Sequence, residues 1–397
     1  MGDRIAELRF RRGMTQEQLA ERAGLSVDVV RKLEQGRRQT ARLSSINALA
    51  RALDTEPSYL VGQPTTFDVR TTEESALPSV LALRQAVSPV SDLLGGDADP
   101  EEPPTVEALR AALASTEVIR RDGRMAEIGA LLPQLIRDAR TAAHAYTGAD
   151  RAAANSVLAV AYQVAATTLT ALGKEDAAFT SMERSLLAIE QCDDPALETL
   201  TASTLSWVFT KQGRLADAEQ VALARAEQIE PSFRSAPEEL ALWGILLLRA
   251  ATAAVRQEKY DAVNEFLRMA RGAAGSMGED RLVHATPFGP TNAAVAHVNF
   301  LVEMDRGAQA IAASRVPGLG SLPPTWRARF HVDRALAYDS LGEDRAAAGA
   351  LLKAESAAPE WMRYHATSRR LVADLRERAP RRDTALLGLA DRLGLIG

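Results

Sequence analysis

Cysteine is nearly missing from this chain: Cys192 is the only one in 397 residues, which excludes an intramolecular disulfide and any zinc site built on several cysteines. Aromatic residues make up only 5% of the composition and β-branched runs are scarce, which argues against a large sheet. No apolar run approaches the roughly 20 residues that cross a bilayer. Met1 to Arg12 is too charged for the apolar stretch of a secretory signal. The chain is therefore expected to be soluble and cytoplasmic, with no membrane contact. His144, His284, His297, His331 and His365 are scattered without metal-ligand spacing, so no metal site is expected.

What is present favours helices. Alanine, leucine, arginine and glutamate dominate, and an all-α fold class follows. The length allows two or three domains, or one small domain followed by an extended repeat array. The net charge of −5 is unevenly spread: residues 1–62 hold 11 Lys/Arg against 8 Asp/Glu, a net of +3, which leaves −8 on the rest. A basic module on an acidic body concentrates attraction for phosphate at one end.

Within the first sixty residues apolar positions recur at helical spacing in four segments: Ile5 and Leu8 with Arg9; Leu19, Ala20 and Ala23; Val30 and Leu33; Ile46, Leu49, Ala50 and Leu53. Gly13 ends the first segment, Thr15 with Gln18 starts the second as a capping box, Gly24 breaks it, and Ser26 caps the third. The Gly24-Leu25-Ser26 turn is too short for antiparallel packing, so the third helix must cross the second steeply, the geometry of a helix-turn-helix. Burying Val30 and Leu33 leaves Val27, Asp28, Arg31 and Lys32 facing outward, within reach of base edges in a major groove.

The stretch MTQEQLAERAGLSVDVVRKLEQGRRQTARLSSINALARALD resembles the XRE or Cro-like phage-repressor family, through TQ-x-x-LA-x-x-x-GLS followed by L-E-x-G. The resemblance covers about the first 62 residues and implies a five-helix DNA-binding domain. It implies that Gln16 touches the DNA backbone, that Ser26, Arg37 and Arg38 hold phosphates, and that Val27, Asp28, Arg31 and Lys32 meet bases or adjacent phosphates. The family often has glutamine or arginine where this chain has Val27 and Asp28. Here Val27 suits a thymine methyl and Asp28 a cytosine amine. The family also pairs an arginine late in the first helix with the glutamate of L-E-x-G, which assigns Arg9 and Glu34 a structural role.

From Gly62 to Thr105 the periodicity weakens, and GGDADPEEPPT cannot be helical throughout. Residues 1–62 are read as the DNA-binding domain, 63–104 as a linker and 105–397 as the second domain. One short helix is expected in the linker, from Ala76 to Val87, with Leu77, Val80, Leu81 and Leu83 as its apolar face. Beyond residue 105 a unit recurs: a long apolar helix, a glycine-centred turn, then a second helix with alanine five residues after the turn. The anchors are Gly123, Gly173, Gly213, Glu258 and Gly342, with a weaker sixth unit around Asp305. Helical hairpins at this period stack into a solenoid.

The units resemble tetratricopeptide repeats, most clearly RALAYDSLGEDRAAAGALLKAESAAP, where Tyr338, Gly342, Ala347, Ala354 and Pro359 match the family pattern. The resemblance implies a right-handed α-solenoid whose first helices line a concave groove. Small residues such as Ala165, Ala166, Ser206, Ala250 and Ala251 fall where paired helices approach closely. Counting back from each turn places Gln163, Thr167 and Thr170 on the groove in one unit, Ser203, Trp207 and Thr210 in the next, Thr252 in a third, and Asn292 with Asn299 in the weak sixth. Amides and hydroxyls bind the backbone of an extended peptide, and Trp207 supplies an apolar wall or serves as a core tryptophan. The apolar C-terminus, with Leu386, Leu387, Leu389, Leu393, Leu395 and Ile396, is either an intramolecular cap or a dimer contact.

No nucleophile elbow, phosphate loop or metal signature is present; GAAGSMG at Gly272 to Gly278 lacks the lysine and the preceding strand of a phosphate loop and reads as a plain loop. No catalytic residue, cofactor or enzymatic activity is expected. The pairing of an XRE-type domain with tetratricopeptide-like repeats resembles the peptide-sensing regulators of bacterial quorum sensing and an actinobacterial group of the same architecture. That resemblance implies a homodimeric transcriptional regulator on a two-fold related double-stranded operator, modulated by a peptide or small molecule in the groove. The alternative is a repeat scaffold that recruits a protein partner and uses DNA as an address.

Overall fold

The structure is a computed structural model that describes residues 1–35, 43–53, 55, 60, 77–90, 102–232, 234–283, 286–378 and 384–395. Among the described residues there are 20 α-helices and one two-stranded ribbon. The chain divides into two compact units: residues 1–120, 124–169 and 180–194 form one, and residues 121–123, 170–179 and 195–397 the other.

In the first unit, α1 (Gly2–Arg11), α2 (Gln16–Ala23), α3 (Val27–Glu34) and α4 (Leu43–Ala52) share one core. It is built from Ile5, Leu8, Leu19, Ala20, Val30, Leu33, Ile46, Leu49, Ala50 and Leu53, positions marked by spacing, with Ala52 and Leu60 added. The fifth helix implied for this domain is not among the described residues. Helix α5 (Leu77–Val87) forms where the linker helix is expected and packs on α7 (Met125–Ala145), which follows α6 (Val106–Asp122). Val80, Leu83 and Val87 occupy one stripe and are buried, whereas Leu81 lies off that stripe and is 53% exposed, so it does not belong to the apolar face.

Helices α8 (Gly148–Ala171) and α9 (Glu175–Ile189) form the next hairpin. Ser181 and Ser185 on α9 donate to the carbonyls of Tyr162 and Ala159 on α8, at 2.8 and 3.0 Å, contacts that only small residues at the crossing allow. Ala165 and Ala166 are fully buried. Helix α8 is long and apolar enough to cross a membrane, contrary to the reading that no segment approaches that length; its apolarity is spread through alanines, and 72% of the relevant window is buried inside the protein.

The second unit holds four hairpins, α10 (Pro195–Lys211) with α11 (Leu215–Gln228), α12 (Pro237–Arg256) with α13 (Tyr260–Met277), α14 (Pro290–Glu303) with α15 (Gly307–Ala313), and α16 (Pro324–Ser340) with α17 (Asp344–Ala357). Between α13 and α14 lies an antiparallel ribbon, β1 (Arg281–Val283) and β2 (Thr286–Phe288), with Leu282 opposite Pro287. Helices α18 (Pro359–Tyr364), α19 (Ala366–Arg378) and α20 (Thr384–Arg392) follow. The segment read as a loop at Gly272 is helical up to Met277 and stops at Gly278, φ 74°. Ala273 and Ala274 are buried there, and their packing outweighs the helix cost of about 1 kcal/mol for each interior glycine.

All six turn anchors have positive φ: 75° at Gly123, 67° at Gly173, 76° at Gly213, 59° at Glu258, 57° at Asp305 and 72° at Gly342. The residue five places on is buried in every unit: Ala178, Ala218, Ala310 and Ala347 as expected, with Ile128 and Val263 taking the alanine's place in the other two. The C-terminus caps the last hairpin. Leu386, Leu389 and Leu393 are buried against α16, α17 and α19, and Arg369 and Arg376 donate to the carbonyls of Leu393 and Leu395 at 2.6 and 2.7 Å. Leu387 is 37% exposed, and Ile396 lies outside the described residues.

Glu258 is exposed and sits in a left-handed conformation that costs a side-chain-bearing residue about 1–2 kcal/mol. Glycine removes that strain but returns about 0.4–1 kcal/mol through the greater freedom of the unfolded chain. The variant E258G is expected to be about 0.5–1 kcal/mol more stable, a rise of roughly 1–4 °C in thermal midpoint. An unchanged or lower midpoint would show that the turn is not strained.

Candidate functional site

Helices α2 and α3 are each started by a side-chain cap. Thr15 Oγ1 accepts from the Gln18 backbone N–H at 3.2 Å while Gln18 Oε1 accepts from the Thr15 N–H at 2.9 Å, a capping box that starts α2. Gly24, φ 65°, ends α2, and Ser26 Oγ accepts from the Val29 N–H at 3.4 Å to start α3. Both caps satisfy helix-end donors that otherwise need water.

Behind α3 lies the anchor. Arg9 meets Glu34 in a two-point ion pair, Nε to Oε1 and Nη2 to Oε2 both at 2.7 Å, with side chains only 7% and 6% exposed. Arg9 Nη1 also donates to the Met14 carbonyl at 2.9 Å. Gln16 Nε2 donates to Glu34 Oε2 at 2.8 Å, so in this structure Gln16 completes the anchor. Burial pushes the Glu34 carboxyl up, but the hydrogen bonds from Arg9 and Gln16 and the charge of Arg9 outweigh it and leave the carboxyl below its ordinary value.

On the outer surface of α3 Asp28, Arg31 and Lys32 are exposed, while Val27 is half-buried with part of its side chain against the domain core. Lys32 Nζ lies 2.8 Å from Asp28 across one turn, and that hydrogen bond holds the Asp28 carboxyl below its ordinary value. Among the described residues Arg31 is exposed on this face and forms no ion pair. Arg37 and Arg38 lie outside the described residues.

The second unit gathers several of the groove candidates and adds charged residues that the count omitted. Trp207 on α10 is half-buried, and three cations surround its ring: Lys211 Nζ at 4.5 Å, Arg249 Cζ of α12 at 5.1 Å and Arg329 Cζ of α16 at 5.2 Å from the centroid. Ser203, one turn before Trp207, is buried and accepts from Arg249 Nε at 3.1 Å. Asn299 on α14 donates to Asp333 Oδ1 on α16 at 3.0 Å. Asn292 begins α14, two turns before Asn299, and its backbone N–H donates to Asp280 at 3.2 Å. First helices of four successive hairpins thus converge on one face.

Gln163 is buried in α8, and the half-buried Thr167 donates to the Val164 carbonyl of its own helix at 3.0 Å; both belong to the first unit. Thr210 and Thr252 likewise donate to carbonyls one turn back. The choice of amides and hydroxyls passed over Lys211, Arg249, Arg329 and Asp333. Their signal was in the register, since Lys211 follows Trp207 by four residues and Asp333 follows Arg329 by four.

Electrostatics at this face are those of crowded like charge. Burial, then Arg329 and Arg256, push the Lys211 ammonium down to about 8, against weaker support from Glu303 and Glu175. Burial and Arg329 bring the Arg249 guanidinium down to about 10. Burial raises the Asp333 carboxyl to about 6, against the pull of Arg329 and the Asn299 hydrogen bond. His365, beyond α18, is pushed down to about 3 by burial and by the charges of Arg329 and Lys211, and stays neutral at physiological pH.

A separate surface depression of about 600 Å³ lies at the starts of α10 and α12, lined among others by Thr199, Glu230, Glu238 and Glu239. Glu239 is engaged there in capping the Ala236 N–H at 3.1 Å, and the lining has no converging cations. Among the described residues no group of three or more His, Cys, Asp or Glu is placed to hold a metal ion.

Residues 1–59 match the family model of a helix-turn-helix domain, and the N-terminal domain is a helix-turn-helix domain. No curated protein matches the chain by sequence. Among solved structures the chain is similar to PlcR of Bacillus thuringiensis, crystallised in complex with the peptide PapR7 and DNA, with 11% sequence identity, a TM-score of 0.38, and 88% of this chain and 98% of that chain covered.

Proposed function

We propose that the chain is a sequence-specific DNA-binding transcriptional regulator that acts in the cytoplasm as a homodimer on a two-fold related operator. In this reading residues 1–62 bind DNA, 63–104 link, and 105–397 sense a peptide or small molecule and dimerise. The observation that carries the DNA-binding half is α3 itself: a short helix anchored from behind by a buried ion pair, with Asp28, Arg31 and Lys32 exposed on its free face. Arg31 suits the guanine edge, where arginine makes two parallel hydrogen bonds. One such domain offers few contacts, which favours two half-sites about one helical turn, roughly 34 Å, apart or a multiple of it. The sensing half is supported by the polar face around Trp207, which presents amide, hydroxyl and charged groups from several hairpins.

Genomic footprinting followed by gel shifts on the recovered site tests this. Replacing Arg31 with alanine is expected to cost about 1–3 kcal/mol at particular base pairs and to relax preference there. Replacing Arg37, assigned to phosphate, is expected to weaken binding to all sequences alike and to reduce the salt slope by about one contact. A uniform loss in the Arg31 variant would place α3 outside the groove, and full-affinity binding of a single half-site by a monomer would remove the dimer.

A further inference from the structure

The face around Trp207 carries more positive charge than the protein itself satisfies. Three charges that close to one ring centroid lie within roughly 10 Å of each other, about one Debye length at moderate salt, so salt leaves much of their repulsion in place. Among the described residues none of Lys211, Arg249 and Arg329 forms an ion pair with a carboxylate, and the one hydrogen bond any of them makes is from Arg249 Nε to Ser203. The nearby acids are otherwise engaged: Glu303 pairs with Arg256 at 3.1 Å, and Asp333 accepts from Asn299. Asp333 is 5% exposed, and its Oδ2 is buried with no hydrogen-bond partner, so it forms no ion pair with the three cations.

We propose that this face is an oxyanion receptor: Lys211, Arg249 and Arg329 receive a carboxylate or phosphate of the ligand that the repeats bind. The proposal deepens the signal-sensing reading above and rests on it for its regulatory meaning. Guanidinium and ammonium groups gathered around one ring can supply charge-assisted hydrogen bonds to an oxyanion, and an arriving negative charge relieves the repulsion among them. The ring of Trp207 holds the cations in place by its negative face without neutralising them. Their depressed ionisation agrees with this, since a bound anion restores what neighbouring like charge and burial take away.

The test is calorimetric titration of the full-length protein at low salt with three probes: N-acetylglycine, inorganic phosphate, and N-acetylglycinamide as the uncharged control. Wild type is expected to bind at least one of the two oxyanions at millimolar concentration and not the amide, and the pair of oxyanion arms tells a carboxylate ligand from a phosphorylated one. Binding is expected to weaken about tenfold or more in R329Q and in K211Q, each of which removes a charge-assisted hydrogen bond. Lys211 is the last residue of α10 and glutamine keeps most of its length, so K211Q tests the site with little risk to folding. Without anion, both variants are expected to melt no lower than wild type, because each removes a repelling charge. Wild type that binds neither oxyanion, or variants that bind as wild type does, would overturn the proposal. Oxyanion binding that leaves operator affinity unchanged in gel shifts supports the receptor and counts against the sensing reading alone, whereas intact operator binding with no oxyanion binding sinks the receptor alone.

Discussion

Replacing Glu34 with alanine is expected to abolish operator binding by unfolding the N-terminal domain, because Glu34 is buried in the ion pair with Arg9. The substitution strands the Arg9 guanidinium, 7% exposed in its side chain, with only the Met14 carbonyl as hydrogen-bond partner. Removing one member of a buried pair costs about 3–5 kcal/mol, and the thin cover over a sixty-residue domain puts the loss at about 3 kcal/mol. A domain of this size has about 3–9 kcal/mol in total. Hydrogen exchange over α1 to α3 in the full-length protein distinguishes this from loss of a contact: E34A is expected to lose protection there, and an Arg31 variant to keep it. The pair also predicts an acid limb. Because the folded-state carboxyl lies below the ordinary 4.5, its stabilisation is complete above that pH and is lost as pH falls through the lower folded value. E34Q should show a smaller acid limb than wild type, keeping only what Asp28 and Glu17 contribute; retention of protection in E34A, or of the full limb in E34Q, would remove Glu34 from the anchor.

Gly244 and Phe288 are expected to show the next largest effect. Phe288 on β2 is fully buried, and its ring lies where a Cβ on Gly244 of α12 would stand. The close approach of ribbon to helix therefore depends on the missing side chain. Truncating Phe288 to alanine opens a cavity in a core shared by Ile245, Leu247, Ala273 and Val283, at about 3–5 kcal/mol. Gly244→Ala forces the ring aside at about 1–3 kcal/mol or more. The two should be strongly non-additive, because with Phe288 gone the added methyl has room. Urea unfolding of the four proteins measures this; additive losses would show that the ring and Gly244 do not compete for space.

Much of this architecture was legible. The N-terminal core residues were marked by a 3.6-residue period, and the caps at Thr15, Gly24 and Ser26 are local chemistry that a few adjacent residues specify. The turn anchors were found even where glycine is replaced, at Glu258 and Asp305, because the flanking helices kept the repeat in register. What escaped depended on packing between distant segments. Nothing in Thr286-Pro287-Phe288 marks a strand until α12 offers the Gly244 gap, and the glycines after Arg271 read as a loop until Ala273 and Ala274 are seen to be buried. The charges around Trp207 were missed for a similar reason: Lys211 and Arg329 are 118 residues apart with Arg249 between them, and each alone looks like a solvated surface cation.

The C-terminal cap decides where the second unit comes apart. A stack of hairpins is held by nearest neighbours, so a terminal hairpin with one interface opens before an internal one with two. By covering α16 and α17, helices α19 and α20 give the last hairpin a second interface and move the fraying end outward by two helices. Arg329 and Asp333 on α16 then sit in the interior of a one-dimensional cooperative array. Transient openings that begin at the C-terminus are spent in the cap, and the geometry around Trp207 persists through them.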